Sequence, residues 1–325
     1  MMLDKKNNIK VSAYCLTYNH EKYIRDTLEG FVNQITDFEY EVFVHDDAST
    51  DQTPEIIREY ESKYPNIIKG IYQTENHYSQ GKKIVMNYIL PQMRGEYVAV
   101  CEGDDYWSDP YKLQKQVDFM ECNSEYSACV HNTIVWELET NKKTLMNPSL
   151  KKYDLEIQHV ILEGGSDYHT SSVLYRMEYA KIVHSLKRPD FFDKTKHIKD
   201  YPLAIFLALK GKVHYMPDVM SVYRRGVPGS WTKSIASVEH FIEMRKSVID
   251  MLKSVDEYTN YKMHEHINKV IESRYWEILV LSTNIKVLRD KEIKKVFTKL
   301  CFEQKFKTLI KLLFLNKYRL KHNKL

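Results

Sequence analysis

Short apolar runs alternate with helical spacings of apolar residues along the first 125 positions of the chain. Val11–Leu16 is an apolar, strand-like run that ends at the polar segment Thr17–His20. Beyond it, apolar residues recur at the three- and four-residue spacing of one helix face, at Ile24, Leu28, Phe31 and Val32. This order predicts a strand, a polar corner and a helix.

The same order returns in the next thirty residues. Tyr40–Val44 is a second strand-like run, and it stops at the polar segment Asp46–Asp51. A helix is predicted from Thr53 through Tyr60, with Thr53 placed to cap it and Pro54 at its first helical position.

Two further pairs of elements complete the pattern. A strand at Ile67–Tyr72 precedes a helix at Lys82–Met93, and a strand ending in Glu102 precedes a helix at Tyr111–Cys122. Such alternation is typical of an α/β fold in which helices cover both faces of a mostly parallel sheet. We therefore expect a Rossmann-like sheet flanked by helices.

The pattern loosens after Tyr126. Strands are predicted at Tyr126–Trp136, Ser171–Arg176, Val213–Met216 and Val219–Tyr223, and a helix at Asp200–Leu209. From about Ser237 the rest of the chain has a helical pattern. We therefore expect residues 1–235 to form the α/β domain and residues 236–325 to form a C-terminal helical extension.

Length and composition fit a globular protein, with 325 residues of which 43% are apolar and 12% aromatic. Residues 1–10 lack the apolar stretch of a secretory signal, and no window is apolar enough for a spanning helix. The five cysteines are odd in number and show no CxxC spacing, which is typical of reduced thiols. These features predict a cytoplasmic protein.

The C-terminal residues 291–325 are strongly basic. They carry eleven Lys and Arg against two Glu, a net charge of +9 that leaves −5 for the first 290 residues. Apolar residues recur among the lysines near helical spacing, at Val296, Leu300, Phe306, Leu309, Ile310, Leu313 and Phe314.

A basic amphipathic helix of this kind predicts attachment to an anionic membrane surface, here the inner face of the cell membrane. The open alternative is a helix that packs on the α/β domain and leaves a solvated lysine face. Nucleic-acid binding is not expected, because no recognised module accompanies the charge.

Three carboxylates stand within four residues at the end of the fourth predicted strand: Glu102, Asp104 and Asp105. Carboxylates packed so closely repel one another and stay ionised together when they are solvated or bridged by a cation. Oxygen ligands on a short loop suit Mg²⁺ or Mn²⁺ better than Zn²⁺. We predict a divalent metal site, against the alternative of a solvated acidic turn before the helix at Tyr111.

Two other polar segments end strands in the same way, Thr17–Asn19 and Asp46–Asp51. In parallel α/β sheets, ligands gather at the carboxyl ends of the strands. We therefore expect these segments and Glu102–Asp105 to meet in one crevice although they are far apart in sequence. This expected convergence favours the metal site over the solvated turn.

Taken together and in this order, the segments resemble the inverting family 2 glycosyltransferases of the GT-A fold, of the type that builds bacterial surface polysaccharides. The matching pieces are Val11–Asn19, Asp46–Asp51, Glu102–Trp107 in the place of the DxD motif, and Lys199-Asp200 upstream of Val222-Tyr223-Arg224. The resemblance covers about Lys10 to Thr232. It implies transfer of a sugar from a nucleoside diphosphate, most often UDP, to a hydroxyl of a glycan or lipid-linked acceptor.

The resemblance also implies roles for single residues. Asp104 and Asp105, with Glu102 as a further ligand or a partner through water, would hold a Mn²⁺ or Mg²⁺ ion that bridges the diphosphate. The residues placed to bind the nucleotide are Thr17, Tyr18, Asn19, Asp46, Asp47, Ser49 and Asp104.

Asp200 takes the position of the general base that removes the proton from the acceptor hydroxyl, so the product should be inverted at the anomeric carbon. The alternative for Asp200 is a helix N-cap, and the alternative for Asp46–Asp51 is an ordinary turn before a helix.

One departure from the family follows Tyr223-Arg224, where many relatives have a histidine that helps to hold the metal or the diphosphate. Residues 225–231 contain no histidine. Arg224 and Arg225 could offer paired N–H donors to phosphate instead, or they could pair with the acidic crevice. Trp107 and His169 are further predicted contacts of the acceptor or the diphosphate, with core packing and a plain loop as their alternatives.

Two other functions stay open. A metal-dependent nucleotidyltransferase would share the sheet and the metal, but it would ordinarily have a glycine- and lysine-rich phosphate loop after the first strand, and Leu16–His20 contains none. A noncatalytic module that binds sugar nucleotides or carbohydrates is the second alternative. The carboxylates of Asp104, Asp105 and Asp200 argue against it.

Overall fold

The computed structural model of the chain describes residues 9–195, 198–229, 237–282 and 285–322, and beyond residue 312 it describes the backbone only. The predicted domain boundary at residue 235 and the last residues of the basic tail fall outside these ranges. The chain divides into two compact units, Met1–Arg188 with Leu203–Thr232, and Pro189–Pro202 with Lys233–Leu325.

A ten-stranded sheet forms the centre of the first unit. Its strands are β1 Ile9–Thr17, β2 Glu39–Asp46, β3 Ile68–Tyr72, β4 Tyr97–Val100, β5 Tyr106–Trp107, β6 Tyr126–Glu137, β7 Lys142–Leu145, β8 Tyr153–Asp154, β9 Leu174–Arg176 and β10 Lys212–Arg225. Their order is β3-β2-β1-β4-β9-β6-β10-β5, with β7 beside β6 and β8 beside β10. Strands β1 to β4, β6 and β10 run in one direction and the other strands oppose them.

The middle strands are buried on both faces. β1 lies between β2 and β4 in parallel register, with Ala13 opposite Val42 on one side and Ala99 on the other. All three residues are inaccessible to solvent. Strands covered on both faces are apolar throughout and not alternating, which is why these runs stood out in the sequence.

Helices cover this sheet: α1 Ile24–Val32, α2 Thr53–Lys63, α3 Lys112–Cys122, α4 Ile157–Glu163, α5 Met177–Val183 and α6 Asp200–Lys210. The predicted helix face of α1 is the one that packs inward, because Ile24, Leu28 and Phe31 are fully buried in the same core cluster as Val11 and Trp107. The predicted α/β class with a sheet flanked by helices is confirmed, although the sheet is mixed, with four parallel and five antiparallel pairings between its described strands.

Thr53 does not cap α2 as predicted. The cap position belongs to Gln52, and the backbone N–H of Thr53 donates to a carboxylate oxygen of Asp51 (3.0 Å). A carboxylate is the stronger acceptor at a helix N-terminus because it is charged. The Thr53 hydroxyl instead accepts from the backbone N–H of His20 (2.9 Å) and so ties the corner after β1 to α2.

The helix predicted at Lys82–Met93 is helical over part of its length but is not a regular α-helix. The segment contains a π-helical turn, Val85–Ile89, followed by a 3₁₀ turn, Leu90–Gln92. Pro91 has no backbone N–H to donate, and its ring clashes with the carbonyl one turn earlier, so an α-helical ladder cannot continue through it.

The two short strands predicted at Val213–Met216 and Val219–Tyr223 form one long strand, β10, that pairs with β6 along its length. The register shifts between Met216 and Val219, around Pro217. A bulge accommodates a proline within a strand, because the unpaired position needs no ladder hydrogen bond.

The described part of the second unit is helical: α7 Val238–Tyr258, α8 His264–Leu281, α9 Lys291–Lys299 and α10 Phe302–His322. α7 starts at a serine cap, where the Ser237 hydroxyl accepts from the backbone N–H of His240 (3.1 Å), and it packs along α8. Among the described helices, none has both the length and the apolar character needed to cross a membrane.

Candidate active site

The carboxyl ends of β1 and β2 are tied together by a polar corner. The backbone N–H of Asn19 donates to the Ser49 hydroxyl (2.8 Å), and the Asn19 side-chain oxygen accepts from the backbone N–H of Thr50 (2.8 Å). Asn19 adopts a left-handed conformation, with φ of 57°, that asparagine tolerates better than most residues. Tyr18, beside it, is exposed.

The segment after β4 closes on the same corner, because the backbone N–H of Gly103 donates to the carbonyl oxygen of Leu16 (3.0 Å). A Cβ atom at position 103 would lie 2.5 Å from the Thr17 hydroxyl and 2.9 Å from His20 Nδ1. Only glycine permits so close an approach. The three strand-end segments therefore meet in one place.

The two acidic residues at the end of β2 have different surroundings. Both carboxylate oxygens of Asp47 accept from main-chain N–H groups, one from His77 and one from Tyr78, each at 2.9 Å. Asp46 accepts from the N–H of Ser49 (3.1 Å) through Oδ2, while its buried Oδ1 has no hydrogen-bond partner in the described chain. Burial raises the pKa of Asp46.

The acidic corner, which we define as Glu102, Asp104 and Asp105, is held from behind by α1. The Thr27 hydroxyl contacts the carbonyl oxygens of both Gly103 (3.1 Å) and Asp105 (2.5 Å). The Asp105 side chain is only 1% exposed. Burial and then the charges of Asp104 and Glu102 raise the pKa of Asp105 well above its ordinary value.

Arg224 joins β10 to the acidic corner. Its backbone N–H donates to Asp105 Oδ1 (2.8 Å), and its guanidinium donates to the carbonyl oxygen of Asp104 (2.9 Å) and pairs with Asp26. The guanidinium also lies over the Tyr106 ring, 4.5 Å from its centroid. Arg224 thus holds the turn in shape, whereas the neighbouring exposed Arg225 pairs with Glu137 (2.6 Å).

His169 lies at the acidic corner, on the segment just before β9. Its ring stacks on Tyr223 with 4.2 Å between centroids, and its Nε2 atom is 3.7 Å from Asp105 Oδ2. Burial lowers the pKa of His169 to about 4, so the ring is neutral at physiological pH. Ligating atoms of His169, Asp105 and Glu102 all lie within 4.8 Å of one another.

Two carboxylates and a neutral imidazole at this separation fit a divalent cation. Carboxylate oxygens suit Mg²⁺ and Mn²⁺, and a neutral imidazole is a common metal ligand. The sequence predicted the acidic part of this set. His169 was predicted, from the family resemblance, as a contact of the acceptor or the diphosphate but not as a member of this ligand set, because nothing in the local spacing links the two segments.

Trp107 and Lys112 pack together inside the first unit. The Trp107 indole N–H donates to the carbonyl oxygen of Ser171 (3.0 Å), and its ring meets Phe31 edge-on at 4.8 Å. The ammonium of Lys112, which is fully buried, lies 4.1 Å from the Trp107 ring centroid and donates to Gln116 (2.7 Å). Sequence reasoning gave no sign of this buried cation.

Asp200 is the first residue of α6 and is exposed. It belongs to the second compact unit, whereas the acidic corner belongs to the first. Its role as general base therefore stays a prediction.

The sequence of this chain matches known families and proteins. The model of glycosyl transferase family 2 matches residues 12–183. An uncharacterized protein of Mycobacterium tuberculosis is 35% identical over 237 residues, which are 72% of this chain and 64% of that protein. The putative teichuronic acid biosynthesis glycosyltransferase TuaG of Bacillus subtilis is 31% identical over 47% of this chain and 58% of its own length. The chain thus covers less than two thirds of the length of these relatives.

A solved structure shares the fold. S. aureus TarS 1–349, in complex with UDP-GlcNAc, superimposes with a TM-score of 0.58 over 94% of this chain and 81% of that chain, at 18% sequence identity. Sheet, flanking helices and helical extension thus define the GT-A architecture of glycosyltransferases. The chain belongs to glycosyltransferase family 2, and the family and fold predicted from its sequence are confirmed.

Proposed function

We propose that the protein is an inverting glycosyltransferase that moves a sugar from a nucleoside-diphosphate sugar to a hydroxyl of a glycan or lipid-linked acceptor in surface-polysaccharide synthesis. The observation that carries the proposal is the acidic corner, where donor atoms suited to a divalent cation lie beside the polar corner of β1 and β2. UDP is the proposed nucleotide, since TarS was solved with UDP-GlcNAc. The name of TuaG supports a polysaccharide product.

The nucleotide binds across the ends of β1 and β2 in this proposal. Asp46 Oδ1 is a buried acceptor with no partner in the described chain, so a ring N–H or ribose hydroxyl would satisfy it. Asp47 already accepts two main-chain N–H groups and shapes the pocket wall. Thr17, Tyr18, Asn19 and Ser49 complete the proposed nucleotide site.

Glu102, Asp104 and Asp105 are the proposed ligands at the diphosphate. A divalent cation bound there, Mn²⁺ or Mg²⁺, would act as a Lewis acid toward the departing diphosphate. Because Arg224 already binds the main chain of this turn, it keeps the carboxylates in position. Arg225, on the surface, is the guanidinium proposed to reach phosphate.

Asp200 acts as the general base and removes the proton from the acceptor hydroxyl as that oxygen attacks the anomeric carbon. A single displacement of this kind inverts the anomeric configuration. Trp107 would support the site without touching the acceptor or the diphosphate, because its indole is packed in the core.

Turnover of nucleotide sugars tests the proposal. We expect release of UDP or GDP from one member of a panel of nucleotide sugars in the presence of Mn²⁺, with an inverted product by NMR. Asp200→Asn should lower kcat by about 10²–10⁴-fold, the usual contribution of a general base, and leave nucleotide affinity unchanged. Asp193→Asn, an exposed change in the same unit, is the matched control.

A product that keeps the donor configuration, or full turnover by Asp200→Asn, would contradict the assigned base. Tight binding of a nucleotide sugar without any turnover would favour the noncatalytic module. Release of pyrophosphate from a nucleoside triphosphate would favour the nucleotidyltransferase.

The proposal places the enzyme at an anionic membrane surface through residues 291–325, where a lipid-linked acceptor is found. Helix α10 supports it, because three large apolar side chains stay exposed at successive turns: Phe302, Phe306 and Ile310. Lys305, Lys307 and Lys311 lie among them. Lysines beside exposed apolar side chains are typical of helices that lie in the membrane interface. Leu313 and Phe314, also predicted for this face, lie where the side chains are not described.

A further inference from the structure

His169 is fixed from one side by a stack and a hydrogen bond. Its ring lies nearly parallel to that of Tyr223, with 16° between the planes. Its Nδ1 atom accepts from the backbone N–H of Ser171 (3.3 Å) and lies 2.9 Å from the Ser171 hydroxyl oxygen. The ring therefore cannot turn without losing both contacts.

The Ser171 hydroxyl is the first of three buried hydroxyls in a row. It donates to the hydroxyl of Ser221 (2.9 Å), which lies 3.0 Å from that of Thr133. Ser221 and Thr133 are register partners on β10 and β6. Because the Ser171 hydroxyl donates to Ser221, its oxygen can accept the proton that Nδ1 would carry once Nε2 binds a cation. The longer bond from the Ser171 N–H to Nδ1 would then be lost.

The other ring nitrogen faces the acidic corner. Nε2 of His169 is 3.7 Å from Asp105 Oδ2, which is too long for a hydrogen bond. Asp105 Oδ1 accepts the backbone N–H of Arg224, and no donor among the described residues reaches Oδ2. A carboxylate oxygen of the buried Asp105 and a ring nitrogen of the partly buried His169 thus face each other without a proton bridge, with Glu102 close to both.

We propose that Nε2 of His169 is a ligand of the divalent cation, together with Asp105 and Glu102. His169 lies on the segment before β9. It would supply the imidazole ligand that residues 225–231, which contain no histidine, do not provide. An octahedral ion with ligands at about 2.1 Å sets neighbouring donors about 3 Å apart and opposite donors about 4.2 Å apart. The 3.7 Å between Nε2 and Oδ2 is longer than the adjacent spacing, so these two atoms would move closer together on an ion that both bind as neighbours.

Ser171 is a positioning residue in this arrangement. Metal-bound histidines usually donate their other N–H to a fixed acceptor, which sets the tautomer and the ring orientation. The hydroxyls of Ser171, Ser221 and Thr133 supply that acceptor and anchor it to two strands. The inference rests on the proposed function for the presence of a cation and adds its nitrogen ligand.

A nitrogen ligand changes which ion the site prefers. Mg²⁺ favours oxygen ligands and near-ideal octahedral geometry, whereas Mn²⁺ accepts imidazole more readily. The wild-type protein should therefore bind Mn²⁺ more tightly than Mg²⁺. In His169→Asp, which replaces the nitrogen by oxygen, that preference should shrink by about tenfold or more.

Electron spin echo envelope modulation of Mn²⁺ tests the nitrogen ligand directly. The probe is MnCl₂ added to the full chain, alone and with UDP. We expect modulation from a directly bound ¹⁴N nucleus in the wild type, and its replacement by a ¹⁵N signal when the protein contains ¹⁵N-labelled histidine. His169→Gln should lose the signal and bind Mn²⁺ about tenfold more weakly or worse.

His159→Gln is the matched control, because His159, on α4, also pairs with an aspartate, Asp167 (2.9 Å). The ¹⁴N signal should persist in that variant. The labelled wild type needs no substitution, so it decides the point even when His169→Gln does not fold.

Three results would overturn the proposal. They are Mn²⁺ bound without nitrogen modulation, nitrogen modulation that survives in His169→Gln, and no Mn²⁺ binding at all. Turnover of nucleotide sugars in EDTA separates the last result from a failure of the proposed function, because a metal-independent transferase would still release UDP.

Discussion

Lys112 is an ionisable residue that pairs with no carboxylate among the described residues. It is fully buried, with its ammonium against the Trp107 ring and hydrogen-bonded to Gln116. Removal from water disfavours the charged form and lowers the pKa of Lys112 to about 7. In the unfolded chain the pKa of Lys112 would be near 10.5. Between pH 7 and 10.5 the folded state therefore binds up to one proton fewer than the unfolded state.

Stability should therefore depend on pH through Lys112. Between pH 7 and 10.5 the unfolded chain binds more protons than the folded chain, so the free energy of unfolding rises with pH in this window. Lys112→Met removes the buried charge and should stabilise the protein at pH 7 by about 1–4 kcal/mol, an advantage that fades as pH approaches 10. Urea unfolding at pH 7, 8.5 and 10 measures it.

Lys115→Met is the control for this prediction. Lys115 lies one turn further along α3, and hydrogen bonds from its ammonium to Asp109 and Asp218 raise its pKa. Its effect on stability should not change between pH 7 and 10. If the free energies of unfolding of Lys112→Met and wild type differed by the same amount at pH 7, 8.5 and 10, Lys112 would not be titrating in this range.

The acidic residues of the site were predictable because each follows an apolar run directly. The family resemblance gave His169 only as a contact of the acceptor or the diphosphate, and its position beside Asp105 was not predictable, because that position depends on the direction of β9. That strand runs antiparallel between β4 and β6, with Leu174 opposite Ala99, so the residues before β9 lie at the carboxyl end of β4. No local pattern in the sequence specifies which strand lies beside which.

The elements themselves follow closely from the apolar patterns where strands are buried on both faces. β1, β2 and α1 start and end within about two residues of their predicted positions. Two of the misses involve proline, at Pro91 and Pro217, where the choice between a break, a tight turn and a bulge depends on neighbouring elements. The strand predicted at Ser171–Arg176 is a strand only over Leu174–Arg176, after a 3₁₀ turn at Thr170–Ser172. Short strands such as β5 and β8 pair through two residues each and leave too little pattern to detect.

Helix α10 is the element on which membrane attachment depends. Phe302 and Phe306 are 84% and 57% exposed, one turn apart, beside basic residues. Replacing both with serine should weaken binding to phosphatidylglycerol vesicles by about tenfold or more, because burial of one phenylalanine contributes about 1.5–3 kcal/mol. Vesicle sedimentation at low and physiological salt is the measurement.

Leu186→Ser provides the comparison, because Leu186 is equally exposed, at 84%, but lies in the other compact unit. It should sediment with vesicles like the wild type. If the double serine variant sedimented with vesicles as strongly as the wild type, α10 would be excluded as the attachment site. The alternative of a helix with a solvated lysine face would then stand.

At the scale of the whole molecule, the chain combines a first unit that carries the sheet and acidic corner with a second unit that carries Asp200 and the basic helices. Family 2 membership rests on residues 12–183 of the first unit. The sequence placed the proposed base and the proposed metal ligands in one family pattern. Pocket shape, which selects the donor sugar and the acceptor, is not specified by that pattern.

The central claim is that the acidic corner binds a nucleoside diphosphate together with a divalent cation. Titration calorimetry of UDP in the presence of Mn²⁺ tests it with Asp105→Asn, a change that keeps the acceptor for the Arg224 N–H. Asp118→Asn, on the exposed face of α3, is the control. We expect Asp105→Asn, or EDTA, to weaken UDP binding by at least about tenfold. UDP binding of equal affinity in wild type, Asp105→Asn and EDTA would contradict the account.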